Sequence, residues 1–522
     1  MSTARTVERT VERVISPAEF SGPLTLDCDV VVVGSGAGGA TAAAVLAEAG
    51  LNVICLEEGA FHRTSDYSAD IPEMFGRVMR NGGATAIMGR APIPYLEGRC
   101  VGGSTVINGG MCWRTPEAVL DRWVSERGLG DLSARRLEPL FEEVERTIHA
   151  RYQDAGSEGD NNDVFHRGAT RLGWKLSKNK RSQIHCVGSN DCVTGCPSGA
   201  KQSAITTWLP RLWAQGGVVY THCKVDKILT QRGRAIGVEG KIVDDPAGGA
   251  PRRFTVRARA VVLSGGAIQT PLLLLRNRLG QPCGQVGRHF TIHPNVKVAA
   301  RFDHAVDTVR GAHQAWQCVE FDHKGILLAP GLVPLAFQSV GFNDFGARLA
   351  KRMREHHRYA TGGILVDDHA SGRIRLLPLG VPLVQYDVTQ ADQAAFHQGV
   401  SNLAELYFAA GALEVVTPFH GHPTLKSADD IRAMQRAAPR VEDTEYFTAH
   451  LMGTCRMDSQ DKRGVIDPEG QLWDVPGLYV SDASALPGTI GVNPQVTIMA
   501  IAMHIAQRLG ERLSKRGAAR VA

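Results

Sequence analysis

Four consecutive valines, Val30, Val31, Val32 and Val33, form an apolar run too short for a buried helix and suited to a central parallel strand. An Ala-rich amphipathic helix is predicted over 41–49, then a second strand over 52–56 that ends on Glu57 and Glu58. Over 113–185 the apolar residues recur at three and four spacing, in PEAVLDRWVSERG and RRLEPLFEEVERTIHARY, which predicts a helical cap. The polar stretch DAGSEGDNND, residues 154–163, reads as a surface loop. Strands return at 218–220, 224–229, 236–240 and 254–258. Residues 302–441 read as mainly antiparallel sheet with flanking helices, with strands over 372–377 and 384–388 and a helix over 390–410.

Between the first strand and its helix lies Gly34-Ser-Gly36-Ala-Gly-Gly39. Gly34 suits a tight turn, Gly36 admits a pyrophosphate close to the backbone, and Gly39 lets helix and strand pack closely. The helix N-terminus offers free N–H groups and a positive dipole end to phosphates. Glu57, at the second strand's tip, is placed to accept from ribose hydroxyls. The combination marks dinucleotide binding and a Rossmann-like unit, without choosing between FAD and NAD.

Composition narrows the class. The chain has 522 residues, 43% hydrophobic and 21% charged, which is ordinary for a globular enzyme with more than one core. A net charge of +5, dispersed along the chain, does not argue for nucleic acid. No apolar run reaches the ~18 residues of a membrane span. The first 26 residues lack an apolar core with a small-residue cleavage site, so no secretory signal is expected there. The eleven cysteines are no secreted disulfide framework. A cytoplasmic location is the default expectation, with a periplasmic one only if a partner subunit carries the chain across.

Two further stretches make a family recognisable: EGRCVGGSTVINGGM at 97–111, and the block HLMGTCRM at 450–457 with GLYVSDASALP at 477–487 and GVNPQVT at 491–497. Together with the fingerprint they resemble the glucose–methanol–choline (GMC) flavin oxidoreductases, over nearly the whole span 29–509. The resemblance implies FAD. Its second signature would line the flavin and pyrophosphate through Gly102, Gly103, Ser104 and Asn108, and glycines and small hydroxyls suit that contact physically. Some relatives tether flavin through a histidine in this stretch; none stands here, so non-covalent FAD is expected. Val225 falls where relatives place main-chain atoms on the adenine. Asp482 and Ala483 would meet the phosphate and ribityl side, and residues from Asn493 to Thr497 would open a helix toward the flavin. AVVLSGGAIQTP at 260–271 resembles the family's return strand, and GRHFTIHP at 287–294 its crossing into the substrate domain. His289 and His293 in that crossing read as satisfied structural histidines. In PFHGHP at 418–423, two histidines without a nearby carboxylate or cysteine read as a loop, not a metal pair.

The resemblance assigns His450 as the general base that takes a substrate hydroxyl proton while hydride leaves for flavin N5. A neutral imidazole suits that work. The family's second position is Asn493 here, which can orient an oxygen but not act as a base. The expected architecture is α/β (α+β overall): a discontinuous FAD-binding domain at 27–112, 205–301 and 441–513, a cap and cysteine segment at 113–204 and a substrate domain at 302–440. An arm at 1–26 and a basic tail at 514–522 complete it.

One segment departs from the common family pattern. Cys186, Cys192 and Cys196 fall within eleven residues of a loop rich in Gly and Asn. Three thiolates so spaced can hold iron–sulfur or zinc, pair as a disulfide or simply pack. The spacing resembles the catalytic subunits of bacterial FAD-dependent glucose dehydrogenases, which carry a three-iron, four-sulfur (3Fe-4S) cluster there, and a cytochrome or small-subunit partner would follow. HLMGTCRM and GVNPQVT resemble instead the long-chain alcohol oxidase branch. An apolar alcohol, long-chain or sterol-like, is the first substrate expectation. A cytochrome-coupled sugar dehydrogenase, or a non-redox lyase or photoenzyme on the same fold, are the alternatives.

Overall fold

The structure is a computed structural model that describes residues 11–154, 156–245, 248, 251–280, 282–331, 335–342 and 344–521. The valine run lies inside the strand Leu24–Val33, which pairs in parallel with Val53–Leu56 on one side and Arg253–Leu263 on the other. Val30, Val31 and Val32 are fully buried, as a strand covered on both faces requires. The helix Ala37–Glu48 follows, starting four residues earlier than its pattern suggests because the fingerprint glycines form its first turn.

The sheet runs in the order Val14–Ile15, Val218–Tyr220, Val53–Leu56, Leu24–Val33, Arg253–Leu263, Arg234–Ile242 and Cys223–Gln231. Its last two steps are antiparallel and form the expected meander. Leu478–Val480 pairs with the C-terminal half of Arg253–Leu263, so a strand from the far end of the chain closes the sheet beside the fingerprint. The expected arm is partly structural: Val14–Ile15 is an edge strand, and Leu24–Val33 begins within the first 26 residues. At the other end, the helix Gln495–Val521 runs on through most of the basic tail.

A second, seven-stranded antiparallel sheet has the order Thr424–Leu425, Glu414–Val416, Asn295–Arg301, Tyr359–Val366, Ile326–Pro330, Trp316–Cys318 and Leu176–Lys178. Two of its strands lie outside 302–440. Asn295–Arg301 pairs along its whole length with Tyr359–Val366, and Leu176–Lys178 adds an edge from the cysteine segment. The helix Gln390–Ala410 covers this sheet, with Phe396, Val400, Leu403 and Tyr407 in its core. The loop expected at 154–163 ends early, because Asp160–Arg171 is a helix. That helix packs on Gln390–Ala410: a Cβ at Gly168 would stand 2.3 Å from the Leu406 carbonyl.

A third sheet of four strands positions the site. Arg288–Ile292 lies between Gly372–Leu376 and Leu451–Met452 in it. The antiparallel register pairs Thr291 with Met452 and Ile292 with Leu451. Continued by one residue, that register sets His293 beside His450.

Candidate active site and cofactor cradle

The fingerprint turn is locked by neighbouring backbone. Gly34 has φ +104°, and a Cβ there would stand 2.3 Å from the Ser264 carbonyl oxygen; at Gly39 it would stand 1.9 Å from the Gly34 carbonyl oxygen. Gly36 differs, since a Cβ there would meet only Gly103 Cα at 3.9 Å. The space over Gly36 is therefore open, between the two glycine-rich signatures and at the start of Ala37–Glu48, where no side chain caps the helix. An anionic pyrophosphate fits this cradle by shape and by helix dipole.

Glu57 braces the cradle from beneath. Its Oε2 accepts from the Ser35 N–H at 3.1 Å and the Ser35 hydroxyl at 2.6 Å, and its Oε1 from the Gly59 N–H at 2.9 Å. Burial raises its pKa, and the bonds from Ser35 and Gly59 oppose that shift. The Ser35 Oγ also accepts from the Gly102 N–H at 3.0 Å. One buried carboxylate thus ties the fingerprint turn to the second signature. Glu58 does different work, pairing with Arg80, Arg99 and Lys224.

The remaining cofactor candidates are spread over several elements. Gly102 and Gly103 lie in a left-handed turn, and Ser104 is exposed with its hydroxyl accepting from the Gly98 N–H. Asn108 donates to Gln495 at the start of the C-terminal helix and accepts from the Gly110 N–H. The Gln495 Nε2 beside it is buried without a partner, as is the Ser481 hydroxyl, and both suit a polar ligand. Asp482 is committed to the protein: it accepts from the Gly266 N–H, the Thr270 hydroxyl, and the Ser484 N–H and hydroxyl. Any cofactor contact at Asp482 and Ala483 would therefore come from main chain. Thr497 is buried, its hydroxyl 2.8 Å from that of Thr115, and Val225 lies on the meander strand opposite Gly240.

His450 sits partly buried, with Nε2 3.2 Å from the Asn493 side-chain amide and Nδ1 3.0 Å from Nδ1 of His293. Burial pushes its pKa down to about 4, so the ring is neutral at ordinary pH. His293 is fully buried, and burial with the neighbouring His450 lowers its pKa well below the usual value. Its Nε2 accepts the Gly491 N–H at 3.1 Å and lies 3.1 Å from the Thr489 hydroxyl, which donates to Asp367 Oδ1 at 3.0 Å. His293 is therefore satisfied, as expected of a structural histidine, yet it is satisfied by the candidate base. The sequence holds one signal for this, the strand pattern ending at Ile292, but its partner strand is only two residues long. His289 stands apart, bonded to Gln285. His293, Asp367 and Asp368 bring ligand-type atoms within 4.8 Å, but the Gly491 N–H already occupies the His293 Nε2 lone pair. His420, in the histidine loop, pairs with Glu445.

The cysteine loop folds around two buried cations. Arg181 donates to Cys192 Sγ at 3.2 Å, to the Gly109 carbonyl and to Gln153. Lys201 donates through Nζ to the carbonyls of Val106, Asn108 and Cys192, while its main-chain N–H reaches Cys196 Sγ at 3.4 Å. Cys186 Sγ accepts from the Gly188 N–H at 3.5 Å. Burial pushes the Lys201 ammonium down to about 8. Arg181 and Lys201 have no place in the expected site residues; only their nearness to the cysteines in sequence hints at them.

Comparison with known proteins decides the family. Residues 75–295 and 368–502 match the N-terminal and C-terminal models of the GMC oxidoreductases, and residues 29–70 match an FAD binding domain. The chain belongs to the GMC oxidoreductase family. It is 34% identical to an uncharacterized GMC-type oxidoreductase of Sinorhizobium fredii, over 94% of this chain and 95% of the relative. It is 29% identical to a long-chain-alcohol oxidase of Arabidopsis thaliana, over 94% of this chain and 68% of the relative. Among solved structures it shares its fold with pyridoxine 4-oxidase from Mesorbium loti, at TM-score 0.70 and 18% identity over 92% of this chain and 98% of that one. This GMC chain is accordingly an FAD-binding oxidoreductase. No helix among its described residues is long and apolar enough to cross a membrane.

Ser35→Ala removes the hydroxyl that joins Glu57 to Gly102 and leaves buried polar groups unmatched. A loss of about 1–3 kcal/mol in stability is expected, with weaker FAD retention, measured by thermal unfolding and by flavin release on dilution. An unchanged melting temperature and unchanged flavin retention would show that the link carries no weight.

Proposed function

We propose that this protein oxidises the CH–OH group of an apolar alcohol, long-chain or sterol-like, to a carbonyl. The observation that carries the reading is His450 held neutral beside Asn493, on a fold shared with FAD oxidoreductases. FAD, when bound, would supply the hydride acceptor. Gly34, Gly36, Gly39, Glu57 and main chain near Val225 would hold its adenosine half. Gly102, Gly103, Ser104, Asn108, Asp482, Ala483 and Thr497 would surround the flavin half, non-covalently.

An alcohol proton is far too weakly acidic to leave by itself at neutral pH, so hydride loss is slow unless a base takes it in the same event. His450 is that base, and Asn493 orients the substrate oxygen toward it. The kinship with long-chain-alcohol oxidases supports the apolar substrate class.

The cysteine loop bears on where electrons go next. Arg181 and Lys201 are buried cations whose described hydrogen-bond partners include carbonyls, Gln153 and sulfur but no carboxylate, and buried cations call for nearby negative charge. Cys186, Cys192 and Cys196 as thiolates on a 3Fe-4S group would provide it. That group would supply one-electron transfer toward a cytochrome or small-subunit partner; without it, oxygen is the favoured acceptor. A broad brown absorbance beneath the flavin bands, with iron in anaerobically purified protein, is expected. A flavin-only spectrum without iron would remove the cluster and leave packed thiols.

Anaerobic mixing of the FAD-loaded protein with a panel of aliphatic alcohols, sterols and sugars tests the main reading. Aliphatic or sterol alcohols should bleach the flavin, and His450→Ala should retain FAD yet lose bleaching by at least about 10²-fold. Bleaching by sugars alone would favour the sugar dehydrogenase, and bleaching by no alcohol would favour the non-redox class. Because the base works as the neutral imidazole, reduction should be constant across neutral pH and fall as pH drops through about 4. A fall centred near the ordinary histidine value of about 6.5 would contradict the assignment.

A further inference from the structure

A hairpin on the four-stranded sheet carries apolar side chains that the fold leaves uncovered. Gly372–Leu376 pairs with Pro382–Gln385, and Pro378–Gly380 turns between them. Ile374 and Val384 are buried and fix the hairpin to the body. Around the turn the sequence is Leu376-Leu-Pro-Leu-Gly-Val-Pro-Leu383, without one polar side chain. Leu377, Leu379 and Val381 are 40%, 101% and 52% exposed, and no other five-residue stretch of the described residues holds three exposed large hydrophobics. Single exposed leucines are ordinary, whereas a cluster of them marks a contact. Leu379 also has φ +66°, a backbone conformation that suits glycine and strains leucine. The turn is held closed by the Leu377 N–H donating to the Val381 carbonyl at 2.8 Å and the Gly380 N–H to the Leu377 carbonyl at 3.0 Å.

Positive charge stands at the base of this turn. Arg288 lies directly opposite Arg373 in the antiparallel register, and Arg375 follows two residues on. The three therefore share the solvent face of the sheet, while Ile374 between them enters the core. Like charges directly opposite each other destabilise a sheet. Burial lowers the Arg373 pKa, and the neighbouring Arg288 and Arg375 lower it further. Among the described residues neither Arg288 nor Arg373 has a carboxylate partner, Arg375 donates to Gln385, and residues 369–386 include no Asp or Glu.

We propose that this hairpin docks the protein on an anionic lipid bilayer, with Leu377, Leu379 and Val381 at the acyl boundary and Arg288, Arg373 and Arg375 on headgroup phosphates. Extended chain rises ~3.3 Å per residue, so Leu379, four residues past Arg375, reaches roughly 10 Å beyond it, the depth at which interfacial segments seat. Charge and shape both favour lipid over protein. Arginine meets phosphate with a fork of donors. A turn that presents three apolar side chains falls far short of the ~800 Å² per partner of a stable protein interface. A bilayer takes a narrow apolar tip without needing a matching surface. Gly372–Leu376 runs toward its turn in the direction away from Ile292, so the tip projects from the end of the sheet opposite His293. The contact is separate from the reacting residues and does not rest on the proposed reaction.

Co-sedimentation of the FAD-loaded full chain with lipid vesicles tests the docking. The protein should pellet with phosphatidylcholine vesicles that contain phosphatidylglycerol and bind pure phosphatidylcholine at least about 10-fold more weakly, with binding that falls as salt rises. Leu379→Ser combined with Val381→Ser should weaken binding by about 10-fold or more. Arg373→Gln combined with Arg375→Gln should remove the preference for phosphatidylglycerol. These are surface changes, so melting temperature and flavin retention should match those of the parent. The emission added by Leu379→Trp should move to shorter wavelength on vesicles and be quenched by brominated acyl chains. Absence of vesicle binding at low salt would overturn the proposal, as would binding that survives both paired substitutions or a Leu379→Trp emission untouched by brominated lipid. Self-association that is lost with Leu379→Ser and Val381→Ser, in a protein that ignores vesicles, would overturn it too and make the hairpin a contact between copies of this chain.

Discussion

The buried carboxylate of Glu57 is the fixed point from which the rest of the site is hung. It accepts from Ser35 and Gly59, and through the Ser35 hydroxyl it holds the Gly102 N–H. From Gly102 the second signature runs on to Asn108, which bridges to Gln495 at the start of the C-terminal helix. The short segment just before that helix carries Thr489, Gly491 and Asn493, the residues that touch the two histidines. The carbonyls of Val106, Asn108 and Gly109 also receive the two buried cations of the cysteine loop. The glycine-rich cradle, the His450–Asn493 pair and the cysteine loop are therefore parts of one connected frame. A shift at Glu57 would be felt in all three, because buried polar networks lose heavily when any member goes unmatched.

The reacting end depends on a second, smaller constraint. Two residue pairs of antiparallel sheet, Thr291 with Met452 and Ile292 with Leu451, bring together segments that have the whole 302–440 stretch between them. Without that register His450 Nδ1 would not meet Nδ1 of His293. Tautomer control of a buried imidazole by the group on its far nitrogen is a general device, and here the far group is a second imidazole.

How much of this the sequence disclosed follows the range of the forces involved. The parallel strands, the fingerprint helix and the helix Gln390–Ala410 were legible because apolar periodicity and turn chemistry act over a few residues. The family motifs pointed to His450 and Asn493, and the structure sets the two side by side. Sheet membership was less legible. Asn295–Arg301 reads like any apolar strand, and nothing local tells it to join the second sheet. The Asp160–Arg171 helix was hidden by its polar start, since Asp and Asn favour turns and helix starts alike. His293 looked ordinary because its role exists only through a strand partner of two residues far along the chain. The burial of Arg181 and Lys201 was hidden for the same reason: a charge shows its burial only once the fold encloses it.

The central claim is that His450 and Asn493 face the reactive edge of a bound flavin, backed by His293. A crystal structure of the FAD-bound protein tests it most directly. The account predicts the pyrophosphate over Gly36 and the flavin ring against residues 102–108, with His450 Nε2 and the Asn493 amide converging on one point beside flavin N5, within hydrogen-bond reach of a substrate oxygen. A flavin seated with its N5 edge turned away from His450, or a bound cofactor that displaces His450 from His293, would contradict it.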